Sequence, residues 1–535
     1  LFSIVLIPLF TSCDAPQNSS TVVSVDTVTI ARHIVELSSD AYLGRKPFTE
    51  GETKTVSYLT EQMKSIGLAP GNGESYLQEV PLVSITSTSD PTMSIKGSEG
   101  ELILKNGKDY VVYTERGEET TYLDNSEFVF AGYGVVAPEY GWNDYEGLDV
   151  EGKTVIVMVN DPGFEKGDPN FFKGETMTYY GRWTYKYEEA ARQGAAGVLI
   201  IHETVPAGYP WIVVQGSWSG SKLQLAKSSG YKCAVQGWIT RDAAIKIFKM
   251  SSTDFTNYKK KALDDFQPVP LGVSTSLTLQ NEVRLDVSHN VVGMLRGSES
   301  PEDVIIYSAH WDHLGVGEPI NGDSIFNGAH DNASGTAMLL ALAESMIKVP
   351  KPKRSIVFLA VTAEEEGLLG SAHYAANPIF DPKNSVANIN IDGIGAYGAM
   401  KDFTLVGYGQ SELDDLAAKI AETQGRYVYP DPDPGKGYFF RSDHFNFAKI
   451  GIPAMFGSGT YEAVDGGVER VKEENQEYLK NRYHRPGDEF DKATWKFGGM
   501  LQDGDLMMKL GIELANSEKW PKWKEGSEFK AIREN

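Results

Sequence analysis

The chain has 535 residues, of which 41% are hydrophobic and 11% are aromatic. This length exceeds that of one typical domain, and the composition excludes a largely disordered chain. The formal net charge is −23. Such a balance leaves no basic surface to neutralise phosphates, so we predict no nucleic-acid partner.

The first 13 residues resemble an export signal. A mostly apolar run, Leu1 to Phe10, leads through Thr11-Ser12 to Cys13, a pattern similar to a bacterial lipoprotein signal with Cys13 as the lipidated residue. We expect a periplasmic or cell-surface lipoprotein with a lipid anchor at Cys13, or a secreted protein; an ordinary signal peptide cut nearby is the alternative. Residues 14–27 would form a tether. No other apolar run approaches the roughly 20 residues of a membrane helix, so we expect no transmembrane helix in the mature chain.

Hydrophobic periodicity predicts the first elements after the tether. Apolar residues recur at helical spacing over Val28–Leu37 and Glu50–Ile66, and Gly67 is a helix stop after the second of these runs. The stretch from Leu77 to Val112 alternates in short segments and is typical of strands. These elements precede a change of pattern near residue 125.

The pattern of strands and helices over residues 125–265 predicts a small β/α unit inserted into a larger domain. Two of its runs, Gly132-Tyr133-Gly134 and Gly194-Ala195-Ala196-Gly197, resemble the protease-associated domain, which occurs as an insert in several secreted peptidases. The resemblance implies either a lid over the substrate site or a spacer with no part in the chemistry. The catalytic domain would then comprise residues 28–124 and 266–535.

The catalytic segment after Glu282 alternates between strand and helix patterns. The predicted strands are Asn290–Leu295, Asp303–Tyr307, Arg354–Val361, Val386–Ile391, Phe403–Val406 and Ile452–Phe456. Helices are predicted between them, beginning with the apolar stretch Thr336–Ile347. This alternation favours an α/β fold with a mainly parallel mixed sheet and helices on both faces.

Residues of metal-ligand type stand at five places, each at a strand end or in a loop. They are His310, Asp331, the acidic triplet Glu364-Glu365-Glu366, Asp392 and His484. Alone, each is more often a structural or solvent-exposed residue than a ligand. Jointly, two imidazoles and three carboxylates suit zinc, with cobalt or manganese possible, and two ions fit if one carboxylate bridges them.

The sequence around these residues resembles the di-zinc aminopeptidase family that also contains glutamate carboxypeptidase II and glutaminyl cyclase. The motifs that carry the resemblance are Ala309–Gly315, Gly328–Gly335, Ala363–Ser371, Asn390–Asp392, Tyr438–Ala454 and Tyr483–Asp488. The resemblance is strong over residues 285–515 and weak over residues 28–120.

The resemblance implies a role for each matching position. His310 and Asp392 would bind one zinc ion, Glu365 and His484 the other, and Asp331 would bridge the two. Glu364 would be the general base, Asp312 would hydrogen-bond His310 and fix its tautomer, and His444 would lie near the substrate carbonyl in the transition state. His313 and His330 are left outside the site.

The implied function is an exported zinc aminopeptidase that removes N-terminal residues from peptides by attack of a hydroxide bridging two zinc ions. A carboxypeptidase or dipeptidase of the same family is the alternative; it needs a cationic pocket, which Arg441 or Arg485 could supply. A glutaminyl-cyclase-like transferase with a single zinc and an inactive peptidase fold that only binds a partner are further alternatives. The complete set of ligands and the base disfavours both.

Overall fold

The protein is described by a computed structural model that covers residues 23–227, 230–264 and 266–534. The expected export signal, Cys13 and most of the tether lie outside these residues. Among the described residues, none of the helices combines the length and apolar character that a membrane span requires.

Twenty-one strands and fifteen α-helices are assigned in the described residues. The strands, β1 to β21 in chain order, are Ala69–Pro70, Leu77–Ser89, Thr92–Gly97, Gly100–Lys105, Tyr110–Tyr113, Thr120–Phe130, Val136–Ala137, Trp142–Asn143, Thr154–Met158, Gly197–His202, Ser221–Leu225, Val235–Thr240, Val269–Leu295, Ser300–His310, Gly315–Ile320, Asp323–Phe326, Arg354–Val361, Ser385–Asn390, Asp402–Val406, Tyr427–Pro430 and Ala454–Ser458. The helices, α1 to α15, are Thr27–Leu37, Glu50–Ile66, Pro162–Lys166, Trp183–Arg192, Thr204–Ala207, Trp211–Ser217, Arg241–Met250, Phe255–Lys261, Ser334–Met346, Leu369–Ala376, Leu413–Thr423, His444–Lys449, Gly467–Asn481, Gly498–Asn516 and Lys530–Glu534.

The centre of the catalytic region is a group of parallel strands. Strand β14 pairs in parallel with β17 on one side and β18 on the other, and β18 pairs in parallel with β21. The end of β13 joins antiparallel to β17, and β19 joins antiparallel to β21. Because β14, β17, β18 and β21 run the same way, their carboxyl ends meet at one edge of the sheet.

Both faces of this sheet are covered, as the side chains of β14 show. Ile305 and Tyr307 belong to the apolar core on the face that carries α1, α9 and α14. Val304 and Ile306 point the other way, into the core formed with α12 and the C-terminal segment. This period-two alternation between two buried faces explains the continuous apolar run of the strand. The predicted α/β fold class, with a mainly parallel mixed sheet and helices on both faces, is confirmed.

The β/α unit predicted at 125–265 packs as part of a larger body. Its parallel strands β6, β9, β10 and β12 carry α4, α7 and α8. The same apolar core also includes Met93, Ile95 and Leu104 from before residue 125 and Leu277 and Leu279 from after 265. The packing unit, which we call the insert unit, is therefore larger than the predicted insert, because β3, β4 and part of β13 complete its core. Its assignment as a protease-associated domain stays a prediction.

Strand β13 joins the two bodies physically. Its 27 residues pair with β6 near its start, with β2 along its middle and with β17 at its end. One continuous strand thus runs from the insert unit into the catalytic sheet, which fixes the insert unit beside the carboxyl edge where the metal-type residues lie.

Candidate metal centre

The predicted site residues converge at the carboxyl edge of the parallel strands. His310 is the last residue of β14, Glu364 and Glu365 follow β17, and Asp392 follows β18. Asp331 lies in the loop before α9. Side chains up to 82 residues apart in the sequence are brought together because the strands that end here are neighbours.

One group of ligand-type atoms surrounds His310. Its Nε2 lies 3.4 Å from Asp331 Oδ1 and 3.3 Å from Asp392 Oδ1. Ligand atoms of all three residues lie within 4.8 Å of one another. An imidazole nitrogen and two carboxylate oxygens at this separation could supply three ligands of a zinc-type site.

A second group surrounds Glu365. His484 Nε2 lies 3.1 Å from Glu365 Oε2 and 3.3 Å from Asp331 Oδ2. His313, which the sequence analysis left out, also reaches this group, since its Nδ1 lies 2.6 Å from Glu365 Oε1. His313, Asp331 and Glu365 place ligand atoms within 4.8 Å of one another. Either His313 or His484 could therefore supply the nitrogen ligand of this second group.

Asp331 belongs to both groups. Its Oδ1 faces His310 and its Oδ2 faces His484. The two imidazoles hold the pKa of Asp331 well below its ordinary value even though its burial acts to raise it. A carboxylate that presents one oxygen to each group has the geometry that a ligand bridging two cations requires.

The negative charge of these ligand-type residues favours the binding of cations. In the described part of the chain, the ion pairs of Asp331, Glu364, Glu365 and Asp392 are all with histidines, and none is with a lysine or arginine. Only 12% of the Asp331 side chain and 5% of the Glu365 side chain are exposed. Buried carboxylates at this density are costly unless cations neutralise them.

Glu364 faces the same space without joining a ligand group. Its Oε2 lies 3.9 Å from His310 Nε2. Burial raises the pKa of Glu364 well above its ordinary value; His310 opposes this shift, and the carboxylates of Asp392 and Glu365 reinforce it. A carboxyl group with a raised pKa beside the ligand groups is suited to receive and hold a proton.

Asp312 supports the site differently from the expectation. His310 Nδ1 lies 3.2 Å from the main-chain oxygen of Asp312 and 3.7 Å from its carboxylate Oδ1. The carboxylate instead accepts hydrogen bonds from the backbone N–H groups of Glu364, at 3.0 Å, and Glu365, at 3.3 Å. Asp312 thus orients His310 through its main chain, and its side chain fixes the segment that carries Glu364 and Glu365.

His444 takes no part in these groups. Its ring is buried, packs against Phe439 and Phe456, and neither ring nitrogen has a hydrogen-bond partner among the described residues. Burial lowers its pKa to about 3, so the ring is neutral. The residue two positions earlier, Ser442, is the one that contacts the centre, because its hydroxyl donates to Asp392 Oδ2 at 2.5 Å.

Arg45 is a supporting residue to which the sequence analysis assigned no role. Its guanidinium is buried and donates to the main-chain oxygens of Trp311 (2.8 Å), Asn327 (2.6 Å) and Gly328 (2.9 Å), as well as Leu37 (2.8 Å). It therefore joins the segment after His310 to the loop that carries Asp331. Burial lowers the pKa of Arg45 to about 10, and the nearby carboxylates of the centre oppose that shift.

Asp488 fixes the Asp331 loop from the opposite side. Its carboxylate accepts hydrogen bonds from the backbone N–H groups of His330 and Asp331 at 3.0–3.1 Å. The ring of His330 packs on Tyr478, with 4.6 Å between ring centroids, as expected for a residue outside the site. Because Asp488 lies four residues after His484, one segment positions both the bridging candidate and a ligand.

Comparisons with known proteins find a family model and curated relatives that match part of this chain. The sequence model of Peptidase family M28 matches residues 290–507. Aminopeptidase YwaD of Bacillus subtilis (strain 168) is 26% identical over 260 residues, which are 46% of this chain and 50% of that protein. Aminopeptidase NAALADL1 of Mus musculus is 33% identical over 129 residues, 23% of this chain and 16% of that protein. The chain spans half or less of the length of these curated relatives.

The fold is shared as well. The solved aminopeptidase from Aneurinibacillus sp. strain AM-1 superposes with a TM-score of 0.51 and 20% identity, over 93% of this chain and 96% of that one. Residues 290–507 are similar to the M28 peptidases. All residues that form the two ligand groups lie within the matched segment 290–507.

Metal analysis shows which of the two imidazoles beside Glu365 is a metal ligand. We expect His484→Gln to lose bound metal, because His484 contacts both Glu365 and Asp331, whereas His313→Gln should keep its metal, because His313 pairs with Glu365 alone. Metal content after dialysis, measured by mass spectrometry, checks this. Loss of an ion from His313→Gln with full occupancy in His484→Gln would reverse the assignment.

Proposed function

We propose that the chain is a zinc-dependent aminopeptidase that holds two zinc ions and hydrolyses N-terminal residues from peptides. The single observation that carries the proposal is the position of Asp331 between His310 and His484, with Glu364 beside them. The family match and the printed names of the relatives, which are aminopeptidases and zinc metalloproteases, support it.

The residues that would hold the ions follow from the two ligand groups. One ion would be held by His310, Asp331 and Asp392, and the other by Asp331, Glu365 and His484. When bound, zinc acidifies a coordinated water toward a pKa of about 7 and polarises the scissile carbonyl. Ser442 and Asp312 hold the ligands that these ions need in a fixed orientation.

Glu364 is the residue that moves the proton. Its carboxylate accepts a proton from the attacking water and then delivers it to the nitrogen of the leaving amine, a contribution of typically 10²–10⁴-fold in rate. The backbone N–H of Glu364 is held by Asp312 at 3.0 Å, so the carboxylate keeps its place while the proton is transferred. Glu365, its neighbour, points to the imidazoles instead and stays a ligand.

The insert unit limits access to the centre. A cavity of about 980 Å³, which we call the cleft, is lined on one side by Glu364–Leu369 and on the other by insert-unit residues that include Trp183, Tyr187 and Trp218. A site enclosed on two sides excludes bulk water and admits a peptide chain end more readily than the middle of a folded chain. Of the two roles that the sequence left open for the insert, a lid and a spacer, this geometry supports the lid. Export and lipid attachment at Cys13 stay predictions from the sequence.

Glu364→Gln tests the assignment of the base. The amide cannot accept the proton, so kcat is expected to fall by roughly 10²-fold or more, while the metal content stays unchanged because Glu364 is not a ligand. The matched control is Glu366→Gln, the next acid of the triplet, which accepts a hydrogen bond from the Leu223 backbone N–H and should retain activity. Normal turnover in Glu364→Gln would refute the assignment.

A peptide-library digest read by mass spectrometry tests the direction of cleavage. Free peptides should lose one residue at a time from the N-terminus, and the same peptides with N-acetylated ends should resist cleavage. Trimming from the C-terminus, at equal rates with and without acetylation, would instead establish a carboxypeptidase. Release of pyroglutamate from N-terminal glutamine without any hydrolysis would establish a cyclase.

A further inference from the structure

The middle of β13 has one uncovered edge. On one side of this strand, residues 279–291 pair with β2 without a break. On the other side, pairing with β6 ends at Gln280 and pairing with β17 begins at Val291. Among the described residues, no strand therefore pairs with residues 282–290 on that side. Such an edge presents backbone N–H and C=O groups that another strand can bind.

Hydrogen bonds at the two ends of this stretch show which backbone groups face the uncovered edge. The N–H of Val292 donates to the main-chain oxygen of Tyr76 at 2.7 Å, on the side of β2. The N–H of Asn281 donates to the main-chain oxygen of Glu119 at 2.8 Å, on the opposite side. The register with β2 has no shift along the stretch, so odd-numbered residues direct their backbone groups outward. These residues are Val283, Leu285 and Val287.

The same three residues form an exposed apolar row. Their side chains share one face of the strand because the side-chain period of a strand is two. Leu285 is 71% exposed and Val287 is 40% exposed, and Val283 is partly exposed. Exposed apolar side chains beside unpaired backbone groups are typical of a surface that pairs with another strand.

Two opposite charges alternate with this row on the other face of the strand. Arg284 and Asp286 lie 2.5 Å apart between Nη2 and Oδ2, and their side chains are 65% and 39% exposed. The Asp286 carboxylate also accepts a hydrogen bond at 2.9 Å from the outward N–H of Val287. In the single chain, this carboxylate thus takes the place of the carbonyl that a neighbouring strand would supply.

The order of these residues matches a second copy of the same strand. When two copies run antiparallel about Leu285, Arg284 of each copy lies opposite Asp286 of the other, and Val283 lies opposite Val287. Leu285 meets its own counterpart on the twofold axis. Opposed apolar pairs and opposed charges of unlike sign both stabilise an antiparallel pair of strands.

The backbone satisfies the same register independently. Antiparallel hydrogen bonds form between opposed residues that both direct their backbone groups toward the partner strand. In the pairing about Leu285, outward-facing residues of one copy lie opposite outward-facing residues of the other. Charged residues on an open edge commonly prevent strand pairing, but here their order favours it for one partner, the chain itself.

We propose that residues 282–288 of β13 form a self-pairing edge through which two copies of this chain associate as an antiparallel, twofold-symmetric dimer. This inference goes beyond the proposed peptidase function and does not depend on it. One pair of short strands gives a small interface, so we expect a dimer that dissociates on dilution. Because β13 joins the insert unit to the catalytic sheet, the pairing would stiffen that connection.

Charge reversals test the register of the dimer. Arg284→Asp and Asp286→Arg each place like charges opposite one another, so each should raise the dissociation constant of the dimer by roughly tenfold or more. The double variant Arg284→Asp/Asp286→Arg has the composition of the unaltered chain and restores the opposed pairs. It is the matched control and should associate as the unaltered chain does. Sedimentation velocity of the full chain over a series of concentrations measures each constant.

Mixing the two single variants gives a result that only this pairing predicts. Arg284→Asp carries two acids at positions 284 and 286, and Asp286→Arg carries two arginines there. Each variant should be mainly monomeric alone, and the mixture should form a heterodimer about as tight as the unaltered dimer. Labelling one variant with a fluorescent dye identifies the heterodimer in the ultracentrifuge.

A proline tests the backbone part of the interface. Leu285→Pro removes an outward N–H and leaves the hydrogen bonds to β2 intact, because an edge strand tolerates proline where its N–H faces solvent. It should abolish association, and thermal melting of every variant checks that it is folded. A chain that stays monomeric at all concentrations would overturn the proposal. So would a dimer that both charge reversals leave unchanged, or a mixture of the two reversals that stays monomeric.

Discussion

The rest of this structure depends on the negative charge that is concentrated at one edge of its parallel sheet. Asp331, Glu364, Glu365 and Asp392 meet there because β14, β17 and β18 end side by side, and their ion pairs in the described residues are with histidines alone. Carboxylates in such a position repel one another and lose hydration. Cations in the space between them would offset this cost, and we therefore expect metal binding to stabilise the folded chain.

The surrounding residues keep this edge in one conformation before any ion binds. Arg45 crosses from the N-terminal region to join the segments on either side of the centre through main-chain oxygens, and Asp488 holds the Asp331 loop through backbone N–H groups. Ser442, in the turn before α12, fixes Asp392 through its hydroxyl. Rigid ligands lose less entropy when an ion binds, so such contacts raise affinity and keep the base in place.

Sequence patterns predicted the α/β class and a strand end or loop for each ligand-type residue, because motif order follows strand order in such folds. Other features of the site and of the insert unit leave no pattern in the local sequence. The choice between His313 and His484 depends on how two loops turn toward Glu365. Arg45 bonds to main-chain oxygens, which any residue offers. The insert unit exceeded residues 125–265 because its core uses Met93 and Leu279, whose strands pair over long distances.

The zinc content of the full chain and of Asp331→Ala, after loading and dialysis, tests the central claim most directly. Asp331 offers one oxygen to each ligand group, so the account predicts two zinc ions per chain in the unaltered protein and neither in Asp331→Ala. Asp323→Ala, in the neighbouring strand β16, is the control and should retain both. Two ions still bound by Asp331→Ala, or a single ion in the unaltered protein, would contradict the account.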